Sequence, residues 1–407
     1  MNKSISMKAI IYLATILTLL NSCKSDVRLD DINEVENLIE KASAQLHNSP
    51  SLSEDTQGAN TRIIPRSLKP SGELRLVKPK DWTSGFYPGV LWLMYDLSRD
   101  TTWKAYATAF TLLLEDEKNN ARDHDIGFKM MSSYGHAYRL TGNKHYREVL
   151  IQSAKTLTTR YNNKVGCIRS WDHHKDKWQF PVIIDNMMNL ELLFFAWKET
   201  NDSLFYNVAN EHAQTTLKNH FRKDYSSYHV VSYDTISGDV MEKNTHQGFA
   251  HESSWARGQA WALYGYTMMY RETKNTVYLD QAENIADYII NTAQFPDDYI
   301  PYWDYHAPNI TDEPKDASSA AIMASAFYEL SSFSMNNGEL YIRTADRIMT
   351  SLSSEKYLCK QGSNKGFLLA HSTGSKPKNS EVDVPLVYAD YYFLEALKRK
   401  GNLLENN

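Results

Sequence analysis

Five times along this chain an apolar helical run stops at a short polar turn, and a second helical run opens on an aromatic residue followed by an alanine. The joints are SRDTTWKAYA (Ser98 to Ala107), RLTGNKHYREVLIQSA (Arg139 to Ala154), WKETNDSLFYNVA (Trp197 to Ala209), YRETKNTVYLDQA (Tyr270 to Ala282) and SMNNGELYIRTA (Ser334 to Ala345). Polar turns of two to five residues are the connections of antiparallel helical hairpins. The first helices of these pairs start near Trp82, Ile126, Asp185, Ser254 and Asp316, and a sixth starts near Val384 and runs through YADYYFLEALKRK. A helix over Ile32–Leu46 supplies the partner of the last. Helical pairs of this kind stack open as solenoids or close into a ring. The repeats vary in length, and the long inserts all precede the same member of each pair. Closure therefore fits better, giving an all-α fold, an (α/α)6 barrel of six helical hairpins with its inserts gathered around one pocket. The low counts of glycine (17) and proline (12) in 407 residues agree with helices joined by short connections.

Apolar residues at 42% supply material for a large core, and the formal charge of -5 with no long basic run excludes a nucleic-acid footprint. The cysteines, Cys23, Cys167 and Cys359, form no CxxC pair, which argues against a thiolate metal site. Residues 1–23 read as an export signal. Lys3 and Lys8 precede a twelve-residue apolar stretch, Ala9 to Leu20, too short to span a bilayer. Leu20-Asn21-Ser22-Cys23 then resembles a bacterial lipobox, predicting a lipoprotein anchored through Cys23, periplasmic or membrane-attached; an ordinary secretory signal is the alternative. Residues 24–31 read as a polar tether and 32–400 as a single catalytic domain. Export leaves Cys167 and Cys359 open between a disulfide and two buried thiols. The stretch His47 to Lys80 has no sustained period and reads as a long surface loop, a kind that is often functional.

The unusual residues sit where the inner helices begin. THQGFAHESSWARGQAWALYGY (Thr245 to Tyr266) places Arg257, Trp261, Tyr264 and Met268 on one helical stripe. A guanidinium one turn from an indole suits a pocket that holds an anion against a flat ring, or equally an internal ion pair. Asp125, Asp185 and Asp316 each precede a helix, and each alone is a favoured N-cap. Their shared placement is the sharper observation, because a pair of carboxyl groups across a cleft is what acid/base chemistry on sugars needs. An acid against an apolar wall of Phe128, Met187 or Trp171 would hold its proton at neutral pH. His124, His229, His246 and His251 lack a tight metal-ligand spacing, so hydrogen bonding to substrate or backbone is their expected use.

At this point the residues match a known family. WTSGFYPGVLW (Trp82 to Trp92), HDIGF (His124 to Phe128), IIDNMMNL (Ile183 to Leu190), THQG with SSWARGQAW (Thr245 to Trp261), DASSAAI (Asp316 to Ile322) and ADYYFLEAL (Ala389 to Leu397) occur in the order of the unsaturated glucuronyl hydrolases, glycoside hydrolase family 88, which the chain resembles over its mature length. The resemblance implies an (α/α)6 barrel that removes 4,5-unsaturated uronic acid from oligosaccharides, with no metal or organic cofactor. It implies Asp185 as general acid/base and Asp125 as the second essential carboxylate. It implies Trp82, Trp171, Trp255 and Trp261 as aromatic walls, Arg257 beside the uronate, and His124, His229, His246 and Gln247 as polar contacts. Some members hold a substrate sulfate with Ser-x-x-Ser-x-Lys. Here Ser372 and Ser375 fit, but Pro377 stands where the Lys would be, between Lys376 and Lys378. A sulfated glycosaminoglycan fragment is thus one implied partner, and a solvated basic loop is the alternative. Two other readings compete: an unsaturated rhamnogalacturonyl hydrolase, against which HDIGF argues, and a non-catalytic glycan-binding lipoprotein, against which the presence of both carboxylates argues.

Overall fold

The computed structural model describes residues 30–52, 63–292 and 295–406. The expected signal sequence and Cys23 lie outside the described residues, as does most of the tether, and the first helix (α1) already spans residues 30–46. The hairpins follow as α2 (Phe86–Ser98) with α3 (Thr101–Leu112), α4 and α5 (Ile126–Met130, His136–Thr141) with α6 (Lys144–Thr158), α7 (Leu190–Thr200) with α8 (Ser203–Asn219), α9 (Ala256–Thr273) with α10 (Thr276–Asp287), and α11 (Ala317–Ser331) with α12 (Gly338–Leu352). The last helix is α13 (Val387–Asn406). A π turn over Met131–Gly135 joins α4 to α5, and a 3-10 turn over Ile184–Asn189 leads into α7.

Four joints share one device. Arg99, Gly142, Asn201 and Lys274 each end a helix in the left-handed conformation. The following residue, Asp100, Asn143, Asp202 or Asn275, is extended, and its side chain accepts the N–H two positions on. One residue stops the first helix and the next starts the second, so two polar residues suffice for the reversal. Each cap contributes about 1 kcal/mol. The fifth joint, between Ser331 and Gly338, is longer, and Asn337 there makes no side-chain cap.

The ring closes: α2 packs on the π turn after α4, the start of the third hairpin on α9, α9 on α11, α11 on α13, and α13 back on α2. The inner helices are buried on all sides. Every residue of α9 from Ala256 to Met269 is buried, as is every residue of α11 from Ala317 to Tyr328. Outer helices bury one stripe, such as Tyr341, Thr344, Ala345, Ile348, Met349 and Leu352 of α12. Close approach needs glycine at one point that matters for the site. A Cβ on Gly127 would lie 2.5 Å from Asn189 Cα, so the starts of the second and third inner helices touch backbone to side chain there.

The inserts meet at one end of the ring, as expected, but they are not plain loops. The stretch read as a surface loop carries an antiparallel hairpin, β1 (Ile64–Leu68) with β2 (Leu74–Val77). The insert before α7 holds β3 (Tyr161–Asn162), β4 (Cys167–Ile168) and β5 (Pro181–Ile183). That before α9 adds β6 (Val230–Tyr233) and β7 (Val240–Asn244) to β5 as an antiparallel sheet. Strands this short give no readable alternation, which is why the sequence pattern missed them. Single bridges (Ser67 with Leu386, Asp123 with Trp171, Trp255 with Asp304) sew the inserts together. Cys167 and Cys359 are separate thiols: Cys167 is buried beneath the sheet, and Asn364 Nδ2 donates to Cys359 Sγ at 2.8 Å.

Candidate active site

The inserts enclose a pocket of about 260 Å³ whose lining includes Asp125, Asp185, Trp82, His124, Trp171 and Trp255. His246, Gln247, Arg257 and Ser375 complete the expected residues on its wall. A wider cleft of about 680 Å³ adjoins it, sharing Trp82, Asp125, Trp171 and His173.

The three candidate carboxylates separate by role. Asp316 is a true N-cap: it accepts from Ser318 N at 3.1 Å and from the Ser318 and Ser319 hydroxyls. Asp125 stands at the N-cap of α4 but makes no capping bond, and Asp185 lies in the first turn of the Ile184–Asn189 segment with Oδ2 buried and without a hydrogen-bond partner. Burial pushes the Asp125 carboxyl up to about 7, helped by the charge of Asp81 and opposed by Lys129. Burial likewise pushes Asp185 up to about 7, with the Asp125 charge adding to it and Arg257 opposing. Two carboxyls in one desolvated site cannot both ionise easily, so near neutral pH one is acid while the other is carboxylate.

Each carboxyl faces a neutral imidazole. His229 Nδ1 accepts the backbone N–H groups of His246 and Gln247, both at 3.1 Å, so its proton resides on Nε2, which lies 3.7 Å from Asp185 Oδ2. Asn189 Oδ1 accepts Phe128 N, which turns Asn189 Nδ2 toward His124 Nδ1 at 3.2 Å. His124 Nε2–H therefore faces Asp125 Oδ1, 3.3 Å away. Burial lowers both rings, His124 to about 4 and His229 well below the ordinary range, so neither competes for the acid proton.

Arg257 combines both readings of the sequence. It lines the pocket, with its guanidinium 4.6 Å from the Trp255 ring and 5.4 Å from Tyr388. Yet Nη1 donates to Asp316 at 2.8 Å and to Thr373 O, and Nη2 donates to Gly374 O at 2.6 Å. It holds the segment that forms the opposite wall as much as it faces the cavity. Gln247 Nε2 adds a bond to Gly374 O at 3.1 Å.

Four candidate residues sit off the pocket wall. Trp261 is fully buried beneath the wall, packed on Phe128 at 5.1 Å and Tyr392 at 5.4 Å, with its indole against the Asp185 carboxyl. The stripe argument could not place it, because α9 is buried all round and every stripe faces something. His229 stands behind the wall too, with its Nε2 facing Asp185. Ser372 is buried and its backbone pairs both ways with Val384, so it does not reach the cavity, whereas Ser375 does. His251 is also off the wall, its Nδ1 accepting Thr245 N.

Arg66 went unread. It lines the pocket, bridges to both oxygens of Asp81 at 2.9 and 3.0 Å, and binds Glu381 through Nε and Nη2. Its pairing with Glu381 joins β1 to a segment 315 positions away. The stretch also carries Arg62 and Arg75, and nothing in its sequence sets Arg66 apart from them.

The family description that matches residues 59–392 is Glycosyl Hydrolase Family 88. An unsaturated glucuronyl hydrolase of Formosa agariphila is 50% identical over 403 residues, covering 98% of this chain and 100% of that protein. The crystal structure of an unsaturated glucuronyl hydrolase specific for heparin superposes with a TM-score of 0.87 at 48% identity, covering 91% of this chain and 98% of the other. A variant of the Streptococcus agalactiae unsaturated glucuronyl hydrolase complexed with dGlcA-GalNAc6S has a TM-score of 0.76 at 29% identity, covering 90% and 91%.

Proposed function

The chain belongs to Glycosyl Hydrolase Family 88, and we infer from that membership and from its paired carboxyls that it is an unsaturated glucuronyl hydrolase acting on glycosaminoglycan oligosaccharides. The observation that carries the reading is the pair itself: Asp125 and Asp185 start two adjacent inner helices, cap neither, and share one pocket with aromatic walls.

The chemistry suits such a pair. The 4,5-unsaturated uronic ring is an enol ether whose C4 accepts a proton. Asp185, protonated, delivers it, and positive charge develops at C5 and the ring oxygen. Asp125, ionised beside it, stabilises that charge. Water adds at C5 and returns its proton to the Asp185 carboxylate. The C5 hemiketal then collapses to a ketone, the ring opens, and the C1 hemiacetal releases the rest of the chain. Positioned acid/base groups of this kind contribute roughly 10²–10⁴-fold. The guanidinium of Arg257 over Trp255 supports recognition of the uronate carboxylate from a flat-ring face.

Sulfated fragments form part of the proposal. Ser375 and Lys378 line the pocket beside His246, an arrangement that supports an anionic group on the released sugar. Incubating the purified protein with unsaturated disaccharides from heparin, chondroitin and hyaluronan tests the reading. Loss of the double-bond absorbance is expected, and a protein inert on all three would refute it.

Export with a lipid on Cys23, ahead of a single catalytic domain, is proposed from the N-terminal sequence alone. Cys23→Ser should move the protein from the membrane fraction to the soluble one.

A further inference from the structure

The insert between β4 and β5 carries two adjacent, exposed histidines at the rim of the pocket; His173 lines it and His174 stands beside it. Nitrogens of His173, His174 and His246 all fall within 4.8 Å of one another. The rings are held by their surroundings. His173 stacks on Trp171 at 5.1 Å with planes 18° apart, and Trp178 meets both His174 and His246 edge-on. Trp178 is itself pinned by a 2.6 Å bond from Nε1 to Asn244 Oδ1 on β7.

The backbone of His174 is left-handed, φ 56°, an unusual state for a residue with a Cβ. Its carbonyl accepts both Lys177 N and Trp178 N at 3.0 Å, which locks that state. The ring sits 5.4 Å from His246 in this conformation. A glycine or asparagine would adopt the same turn at less cost, so the imidazole is the part the turn itself does not require.

We propose that His173, His174 and His246 form a transition-metal site at the mouth of the pocket, taking Zn²⁺ or a similar borderline cation such as Co²⁺ through three imidazole nitrogens, and that occupancy blocks the pocket. Three imidazoles with an open fourth position are a donor set such ions accept. Burial and nearby cations hold His246 neutral. Lys378 donates to His246 Nε2 at 2.7 Å, so an ion binding through that nitrogen must displace its ammonium. Metal entry displaces Lys378 and makes the site one of modest affinity. The ion would inhibit rather than assist, since His173 and His246 line the pocket while Asp125 and Asp185 complete their acid/base work without it. The inhibition, though not the binding, rests on the function proposed above.

Titration of the mature protein with Co²⁺ tests the site directly, because four-coordinate Co²⁺ has strong visible bands that need no turnover. Wild-type protein should develop those bands, and Zn²⁺ should abolish them. His174→Asn keeps the left-handed turn and lies off the pocket wall. It should keep its activity, weaken Co²⁺ at least tenfold and lose Zn²⁺ inhibition to the same degree. Lys378→Gln should tighten Co²⁺ binding. Wild-type protein without tetrahedral bands, or His174→Asn binding Co²⁺ as wild type does, would overturn the proposal. Bands without inhibition would overturn its blocking part and leave the hydrolase reading untouched.

Discussion

His229 Nε2 lies 3.7 Å from Asp185 Oδ2, and neither atom has another hydrogen-bond partner. Two backbone N–H groups claim the other nitrogen, so the imidazole presents a proton to the carboxyl whatever the pH of the medium. Substrate-bound geometry has only to close a few tenths of an ångström for a full bond to form.

His229→Leu should therefore lower kcat by about 10–100-fold, the cost of a misplaced reacting group, while leaving KM within a few-fold. The check is steady-state kinetics on one disaccharide. A rise in KM with kcat unchanged would make His229 a substrate contact instead.

The pH behaviour follows from both carboxyls lying near 7. Activity should fall as pH rises past that value, because the acid loses its proton, and should fall below it, because the partner carboxylate gains one. The two limbs belong to the pair and not to either residue. Stability carries the opposite sign from a salt-bridged aspartate. The unfolded chain ionises these groups near ~4, so the folded state binds more protons between ~4 and about 7 and loses stability as pH rises through that window. Asp185→Asn should accordingly melt higher than wild type at pH 8, by about 1–2 kcal/mol after allowing for partial solvation, with the advantage gone near pH 4. Thermal melts at the two pH values measure it.

Gly127→Ala forces a methyl to within 2.5 Å of Asn189. Relief must move either α4 or the Ile184–Asn189 turn, and with it Asp125 or Asp185. The expected loss is about 1–3 kcal/mol of stability with a fall in kcat larger than any change in KM. Denaturant melts alongside kinetics separate the two effects.

Arg257→Gln should act twice. It removes the partner of the buried Asp316 carboxylate and the ties to Thr373 and Gly374. Breaking a buried pair on one side costs about 3–5 kcal/mol, so the melt should fall. KM should rise because the wall from Gly374 to Ser375 loses its anchor. Binding unchanged in a stably folded variant would remove Arg257 from substrate recognition.

Much of this arrangement is legible in the sequence. The ring was readable because each joint is local: a left-handed residue and a capping Asp or Asn sit side by side in sequence, as Asn201 and Asp202 do. The two carboxyls were readable because helix starts in a closed hairpin ring share one end. What a capping aspartate does with its oxygens was not readable, and Asp125, Asp185 and Asp316 look alike until their hydrogen bonds are known. Arg66 with Glu381 and His229 with Asp185 are contacts between distant segments, with no periodic trace in the chain. Trp261 is a wall residue by resemblance, and a helix buried on every side offers no exposed face in the sequence pattern from which its depth could be read.

In the proposed mechanism Asp185 delivers the proton to C4 and Asp125 supports it. The direct measurement is single-turnover loss of the double-bond absorbance of an unsaturated glucuronyl disaccharide by wild-type protein, Asp185→Asn and Asp125→Asn, each shown to be folded by its melt. A loss of roughly 10²–10⁴-fold is expected for each variant, with the disaccharide still bound by Asp185→Asn. Asp185→Asn turning over substrate at the wild-type rate would contradict it.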